Sequence, residues 1–173
     1  RPIYDTVGGV PHLRVENRVL PAGPTIADVL ANAAFYYGCI RVLAHQDRPV
    51  WTKLSFSAAA ENFDLAARSG LDARFYWPGF GEIGADELIL RHLLPMAHEG
   101  LEDWGVSQAV RDRYLGIVEA RCTSGVNGAV WQSECVQRLE DGGLDRRTAL
   151  HEMLRLYADH MATNEPVHTW PLP

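Results

Sequence analysis

The chain has 173 residues, of which 47% are apolar and 22% charged, and its 16 basic and 22 acidic side chains give a net charge of −6. At about 100 to 200 residues per domain, this length predicts a single domain with its own core. The composition excludes a disordered or fibrous chain. The negative charge argues against a general affinity for nucleic acid or anionic membranes, so we expect a small-molecule or protein partner.

The cysteines and the apolar stretches indicate where such a chain works. Three cysteines without a CxxC spacing indicate neither a disulfide framework nor a zinc site, and they favour a cytoplasmic protein. The longest apolar stretches, such as residues 29–40, fall short of the roughly 20 residues that span a bilayer, so no membrane segment is predicted. Because the sequence opens on Arg1 and has no signal-peptide pattern, we expect that the chain does not begin where its gene does.

Residues 1–24 hold most of the strand signal. The segment 12–20 alternates with period two, which predicts a strand that ends at Pro21. One face of this strand is mostly apolar and the other mostly charged; in order, they carry Leu13, Val15, Asn17 and Val19, and His12, Arg14, Glu16, Arg18 and Leu20.

A long helix is predicted next, over residues 26–45. Thr25 is the expected N-cap, and Asp28 completes a pair that resembles a capping box. Apolar residues recur along it at helical spacing and predict its apolar face: Ile26, Val29, Leu30, Ala33, Tyr37, Ile40 and Ala44.

Five further helices are predicted, over residues 57–69, 85–104, 107–122, 127–141 and 145–162. Pro95 predicts a kink or break near Leu94 because proline cannot donate a backbone hydrogen bond. Residues 75–81 predict an irregular loop or short strand, and the proline-containing tail, residues 163–173, is expected to be extended. The expected fold is a single domain over residues 1–173, α+β and predominantly α-helical, with about six helices (25–162) and a short antiparallel β element near the N-terminus (1–24).

The charged face of the predicted strand is the main candidate for chemistry. Residues two apart on a strand point the same way and lie about 6.6 to 7 Å apart, which places Glu16 between Arg14 and Arg18. A carboxylate can bind Mg²⁺, and an arginine beside it can bind phosphate oxygens. The three-residue pattern alone is more typical of an exposed strand with ion pairs.

A family resemblance gives this pattern its context. The residues that carry it are HLRVENRVLPAGPT at 12–25 and ANAAF at 31–35, then ENF at 61–63, AARSGLDA at 66–73, LLPMA at 93–97, YLGIVEAR at 114–121 and PVHTW at 166–170. Together these blocks resemble the second half of the bacterial glutamate-cysteine ligase family, a branch of the carboxylate-amine ligases.

The resemblance implies a glutamine-synthetase-like catalytic fold, in which a curved antiparallel sheet carries metal-binding carboxylates and phosphate-binding arginines. It implies ATP and Mg²⁺ (or Mn²⁺) as cofactors. The γ-carboxylate of glutamate becomes an acyl phosphate that the amine of cysteine attacks, which forms γ-glutamylcysteine. On this resemblance Glu16 is a metal ligand, and Arg18 is the catalytic and cofactor-binding residue that contacts the transferring phosphate.

Members of that family are considerably longer, and their other carboxylate-bearing strands lie in the half that would precede Arg1. One carboxylate cannot hold the metal ions such a mechanism uses. We therefore expect the isolated chain to be inactive unless a missing N-terminal half or a complementing chain is present. Two alternatives stay open: a non-catalytic helical interaction or regulatory domain, and a related ligase with another amine acceptor. A homo-oligomer is also left open.

Other chemically capable residues have ordinary structural interpretations. Arg68 is expected to pair with Asp64, although a substrate role for Asn62 or Arg68 stays open. The histidines on predicted helices lack metal-binding spacing, and Glu119 and Arg121 face different directions on a helix. Residues 124–128 predict helix ends rather than a phosphate loop. Two cysteines, Cys122 and Cys135, are expected to be inert. A cluster of aromatic residues is expected to pack in the core: Phe75, Tyr76, Trp77 and Phe80.

Overall fold

The computed structural model describes residues 2–18, 20 and 23–173. Its elements, in chain order, are β1 Pro2–Val7, β2 Val10–Val15, α1 Ile26–Ala44, α2 Phe56–Ser69, β3 Arg74–Trp77, β4 Gly81–Gly84, α3 Ala85–Leu88, α4 Leu94–Asp103, α5 Gln108–Ser124, α6 Gly128–Asp141 and α7 Arg146–Thr163. A π turn, Ile89–Leu93, joins α3 to α4. If these three pieces are taken as one helix, the described residues form six helices and two small antiparallel sheets, which confirms a predominantly helical α+β chain.

The helix starts follow the capping residues of the sequence. The Thr25 hydroxyl accepts the backbone N–H of Asp28 at 3.1 Å and begins α1 as predicted. Ser55 caps α2 and Asp145 caps α7 through their side-chain oxygens. These contacts satisfy N–H groups that have no partner inside the helix, so local sequence defines the helix starts closely.

The predicted break near Leu94 is confirmed. The π turn ends at Leu93, and Pro95 lies in the first turn of α4. Because proline lacks a backbone N–H, the chain cannot keep a regular α-helical ladder there. The thiol of Cys39, on α1, donates to the carbonyl of Leu93 at 3.4 Å.

Helix α1 forms where predicted, but its predicted apolar face is not the buried one. The bulky residues Ile26 (69% exposed) and Tyr37 lie on the surface with Leu30, while the core takes a face of small residues, including Ala27 and Ala31. Both faces of α1 are apolar, so spacing alone could not distinguish them. The small face is buried because α1 packs closely against α4.

Two glycines allow α1 and α4 to cross at very short range. A Cβ atom on Gly38 would overlap the carbonyl of Ala97, and one on Gly100 would overlap the carbonyl of Gly38. The backbones are therefore in direct contact at this crossing. Around it lies the first core cluster, in which α1, α4 and α5 bury Leu94, Leu101, Leu115 and Val118 among other residues.

The same apolar character makes α1, by length and composition only, long enough to cross a membrane: it has 19 residues and a mean hydropathy of 1.3. The core helix of a soluble protein passes the same test, so this is weak evidence. No membrane segment was predicted from residues 29–40, which are only part of this helix.

A second core cluster joins α6 and α7 to the C-terminal tail. Trp131 is fully buried and contacts Trp170 edge to face, with ring centroids 5.2 Å apart. Its indole N–H donates to the carbonyl of Pro171 at 3.2 Å. The tail differs from the extended prediction in one turn, the 3₁₀ helix Val167–Thr169, which buries Val167 against Trp131.

Candidate functional site

The hairpin of β1 and β2 carries the predicted reaction residues at its end. The strands pair antiparallel from Val7 opposite Val10 to Pro2 opposite Val15. Strand β2 therefore stops at Val15, and Glu16 and Arg18 follow it as irregular chain. The prediction of one strand over residues 12–20 is wrong for residues 16–18, because the described pairing of β1 with β2 extends only as far as Val15. The predicted end at Pro21 lies outside the described residues, as does Val19.

Glu16 and Arg18 come together as an ion pair. Arg18 Nε lies 2.9 Å from Glu16 Oε2, and their side chains are 66% and 37% exposed. Arg14 does not join them, because its guanidinium binds Asp5 across the hairpin at 2.6 Å. That hydrogen bond, with the Thr6 N–H, holds the pKa of the Asp5 carboxyl below its usual range. The expected row of Arg14, Glu16 and Arg18 is thus divided into two ion pairs.

The hairpin leaves its apolar face uncovered. Tyr4 lies opposite Leu13 in the register, and both are exposed, at 68% and 77%. Val15, at the end of the same row, is exposed too. An isolated two-stranded hairpin is at best marginally stable in water. An exposed apolar row of this kind is typical of a surface that packs against another chain segment or a partner.

The described residues do not by themselves fit a metal ion. Among residues 2–18, 20 and 23–173, no three His, Cys, Asp or Glu side chains lie close enough to share one. Magnesium demands nearly octahedral oxygen coordination, which one carboxylate paired with an arginine does not supply. Any ion bound at Glu16 would need further carboxylates from elsewhere.

A second polar cluster, which sequence reasoning did not assemble, lies at the start of α1. Asp28 is fully buried. Its Oδ2 accepts the Thr25 hydroxyl at 2.8 Å and the backbone N–H of Val167 at 3.1 Å. The residue before Asp28, Ala27, donates its backbone N–H to Asn164 Oδ1 at 3.1 Å. Asp28, which bonds to the N-cap Thr25 of α1, thus also anchors the C-terminal tail.

Arg121 approaches the same aspartate from α5. Its Nε lies 3.8 Å from Asp28 Oδ1, and its Nη1 donates to Asn32 Oδ1 at 2.9 Å. Burial lowers the pKa of the Arg121 guanidinium, and the Asp28 charge opposes that shift. The structural role predicted for the Glu119-x-Arg121 pattern fits, because Arg121 points inward while Glu119 is exposed. The capping pattern was a local signal for Thr25 and Asp28 alone, since Arg121 and Val167 lie 89 and 139 residues from their partners Asn32 and Asp28.

The aromatic cluster does not pack in the core as predicted, since Tyr76 and Phe80 are each 50% exposed and Phe75 and Trp77 are only partly buried.

The remaining polar candidates have structural contacts. Asn62 exchanges two hydrogen bonds with the backbone of Tyr76, at 2.9 and 3.0 Å, and so fixes α2 to β3. Arg68 pairs with Asp64 at 3.0 Å, as predicted. Burial raises the pKa of the thiols of Cys122 and Cys135, which disfavours a nucleophilic thiolate. The interhelical glycine region ends α5 at Gly125, as the helix-end interpretation predicted.

Comparison of the chain with protein-family models, with curated proteins and with solved structures finds no match.

Proposed function

We propose that this chain is the C-terminal part of an ATP-dependent carboxylate-amine ligase of the glutamate-cysteine ligase type. The observation that carries the proposal is the Glu16–Arg18 ion pair at the end of the hairpin, in the segment whose residues resemble that family. ATP supplies the phosphoryl group that activates the γ-carboxylate of glutamate. Glutamate, cysteine or another amine, and a missing N-terminal half or complementing chain, are the proposed partners.

Arg18 is the residue that this chemistry requires most directly. A guanidinium has five N–H donors in a planar fork that matches phosphate oxygens. Arg18 contacts Glu16 through its Nε atom. The exposed side chain can turn its terminal NH₂ groups toward a phosphate. Phosphoryl transfer depends mostly on positioning and on offsetting negative charge, which an arginine at this place supplies.

Glu16 has two roles in the proposal. It holds the Arg18 guanidinium through their 2.9 Å contact, and it contributes one carboxylate to a metal ion that other carboxylates complete. The uncovered row of Tyr4, Leu13 and Val15 supports the need for additional chain, because further strands would bury it. The isolated chain is therefore proposed to be inactive.

The test uses the full-length protein, with glutamate, ATP, Mg²⁺ and a panel of amines that includes cysteine. Glu16→Gln should reduce amine-dependent ADP release by at least about a hundredfold, the scale of losing one preorganised charged group. Glu119→Gln is the matched control, since it changes an exposed glutamate in the same Glu-x-Arg pattern on α5. Wild-type turnover in Glu16→Gln would refute the assignment.

The second candidate is a non-catalytic interaction or regulatory domain, and the exposed bulky face of α1 favours it. Ile26, Leu30 and Tyr37 present apolar surface that a partner would bury. Native mass measurement with a co-expressed first half separates the two hypotheses when combined with the assay. A stoichiometric complex without ADP release supports the second candidate, and a complex with amine-dependent release supports the ligase.

A further inference from the structure

The buried cluster between α1, α5 and the tail contains three polar atoms without a hydrogen-bond partner among the described residues: Asp28 Oδ1, Arg121 Nη2 and His168 Nδ1. Such atoms are costly to bury, and native proteins commonly satisfy them with an internal water molecule. The three residues lie in one neighbourhood, and the charges of Asp28 and Arg121 both act on the His168 imidazole. Arg121 faces Asp28 at 3.8 Å, and Val167, next to His168 in the chain, donates to the other oxygen of Asp28.

The three atoms differ in what they need. Asp28 Oδ1 is an acceptor, and so is His168 Nδ1 when the imidazole is neutral with its proton on Nε2. Arg121 Nη2 is a donor. A ligand that satisfies all three must donate two hydrogen bonds and accept one.

Charge narrows the ligand further. A bound anion would lie beside the carboxylate of Asp28, which is fully buried and therefore weakly screened. A bound cation would meet the guanidinium of Arg121, whose side chain is 14% exposed. A neutral molecule avoids both penalties, and water is the smallest one with two donors and an acceptor.

We propose that Asp28, Arg121 and His168 form a binding site for one internal water molecule, which links α1, α5 and the C-terminal tail. The water donates to Asp28 Oδ1 and to His168 Nδ1, and it accepts from Arg121 Nη2. Buried waters typically make about three hydrogen bonds, which is the number that this site provides. The water completes the attachment of the tail, which the direct bond from Val167 to Asp28 begins.

A crystal structure of the chain, at a resolution that shows ordered waters, tests the site directly. The expected result is one density peak within hydrogen-bonding distance of all three atoms. Direct protein contacts that satisfy the three atoms without a peak would overturn the proposal, as would a chloride or other ion at the position.

Oxygen-17 relaxation dispersion, which counts long-lived internal waters, tests it in solution. His168→Leu removes an acceptor and should lose one long-lived water. His168→Asn is the rescue variant, because the asparagine Oδ1 can occupy the place of Nδ1, and it should keep the wild-type count. His151→Leu on α7 is the matched control, since His151 is exposed and outside the cluster.

Amide hydrogen exchange at Val167 gives an independent readout of the tail. Its N–H bonds to Asp28, so loss of the water should accelerate its exchange about tenfold in His168→Leu, the scale of one hydrogen bond, and leave His168→Asn near wild type. An unchanged water count in a folded His168→Leu overturns the proposal. If that variant fails to fold, the wild-type crystal structure decides by the criteria above.

Discussion

The N-terminal hairpin and the C-terminal tail are both short segments outside the helices, yet they are attached in opposite ways. The tail buries Val167 and Trp170 against Trp131 and bonds to Asp28. The hairpin exposes its apolar row, including Leu13. The difference shows that the tail is part of a core that the helices complete. The hairpin, which carries the proposed reaction residues, keeps an apolar surface that the described residues do not cover.

Burial energetics explain the contrast. Removing apolar surface from water contributes about 25 cal/mol per Å², so a buried tryptophan and valine strongly favour the docked tail. A two-stranded hairpin with both faces in water gains little of this. Covering the Leu13 face would require additional chain, which is what the ligase proposal supplies.

The largest expected effect is on the tail side. Trp131→Ala should lower the free energy of unfolding by about 3 to 5 kcal/mol, because it removes the fully buried centre of the second core. Urea denaturation of the chain measures it. Trp51→Ala, at a residue that is 74% exposed, and Leu13→Thr on the hairpin should each stay within about 0.5 kcal/mol. A large loss for Leu13→Thr would show that the hairpin is already covered in solution.

The next effect tests the first core, which neither terminal segment enters. Gly100→Ala should destabilise the chain by about 1 to 3 kcal/mol, since its Cβ would overlap the Gly38 carbonyl and force α1 and α4 apart. Gly116→Ala is the matched control in α5, where a Cβ meets nothing within 4 Å. That change should stabilise by about 0.5 to 1 kcal/mol through helix propensity. Equal effects in thermal unfolding would contradict the close crossing.

The smallest effect is a pH dependence of the tail. Burial lowers the pKa of the His168 imidazole below its ordinary 6.5; the Arg121 charge adds to this shift and the Asp28 charge opposes it. Because the unfolded chain then takes up the proton first, stability should fall as the pH decreases through 6.5 toward the folded-state pKa. Other titratable groups near the cluster include Cys122 on α5, which interacts with Arg121, and Tyr157 on α7, which interacts with Asp28.

Unfolding measured from pH 7.5 to 5 in wild type and in His168→Asn isolates this contribution, since the asparagine does not titrate. The stability difference between the two should shrink as the pH decreases. A growing advantage of the wild type at low pH would have the wrong sign and contradict the assigned shift.

Much of the secondary structure was predictable because its signals are local. Thr25 and Asp28 mark the start of α1, and Pro95 marks the break before α4. The candidate site was predictable only as residues: the Glu16–Arg18 pair forms, but outside the strand, and Arg14 pairs with Asp5 instead. Strand length depends on a partner strand, which the alternation of one segment cannot reveal.

The sequence by itself determined a predominantly helical chain with defined caps and a short β element near the N-terminus. Only the tertiary structure decided which face of α1 is buried and which distant residues meet Asp28. The physical reason is that both faces of α1 are apolar, so the choice depends on how closely another helix can approach. Gly38 and Gly100 allow backbone contact, and the small face is buried there while Ile26 and Tyr37 stay exposed.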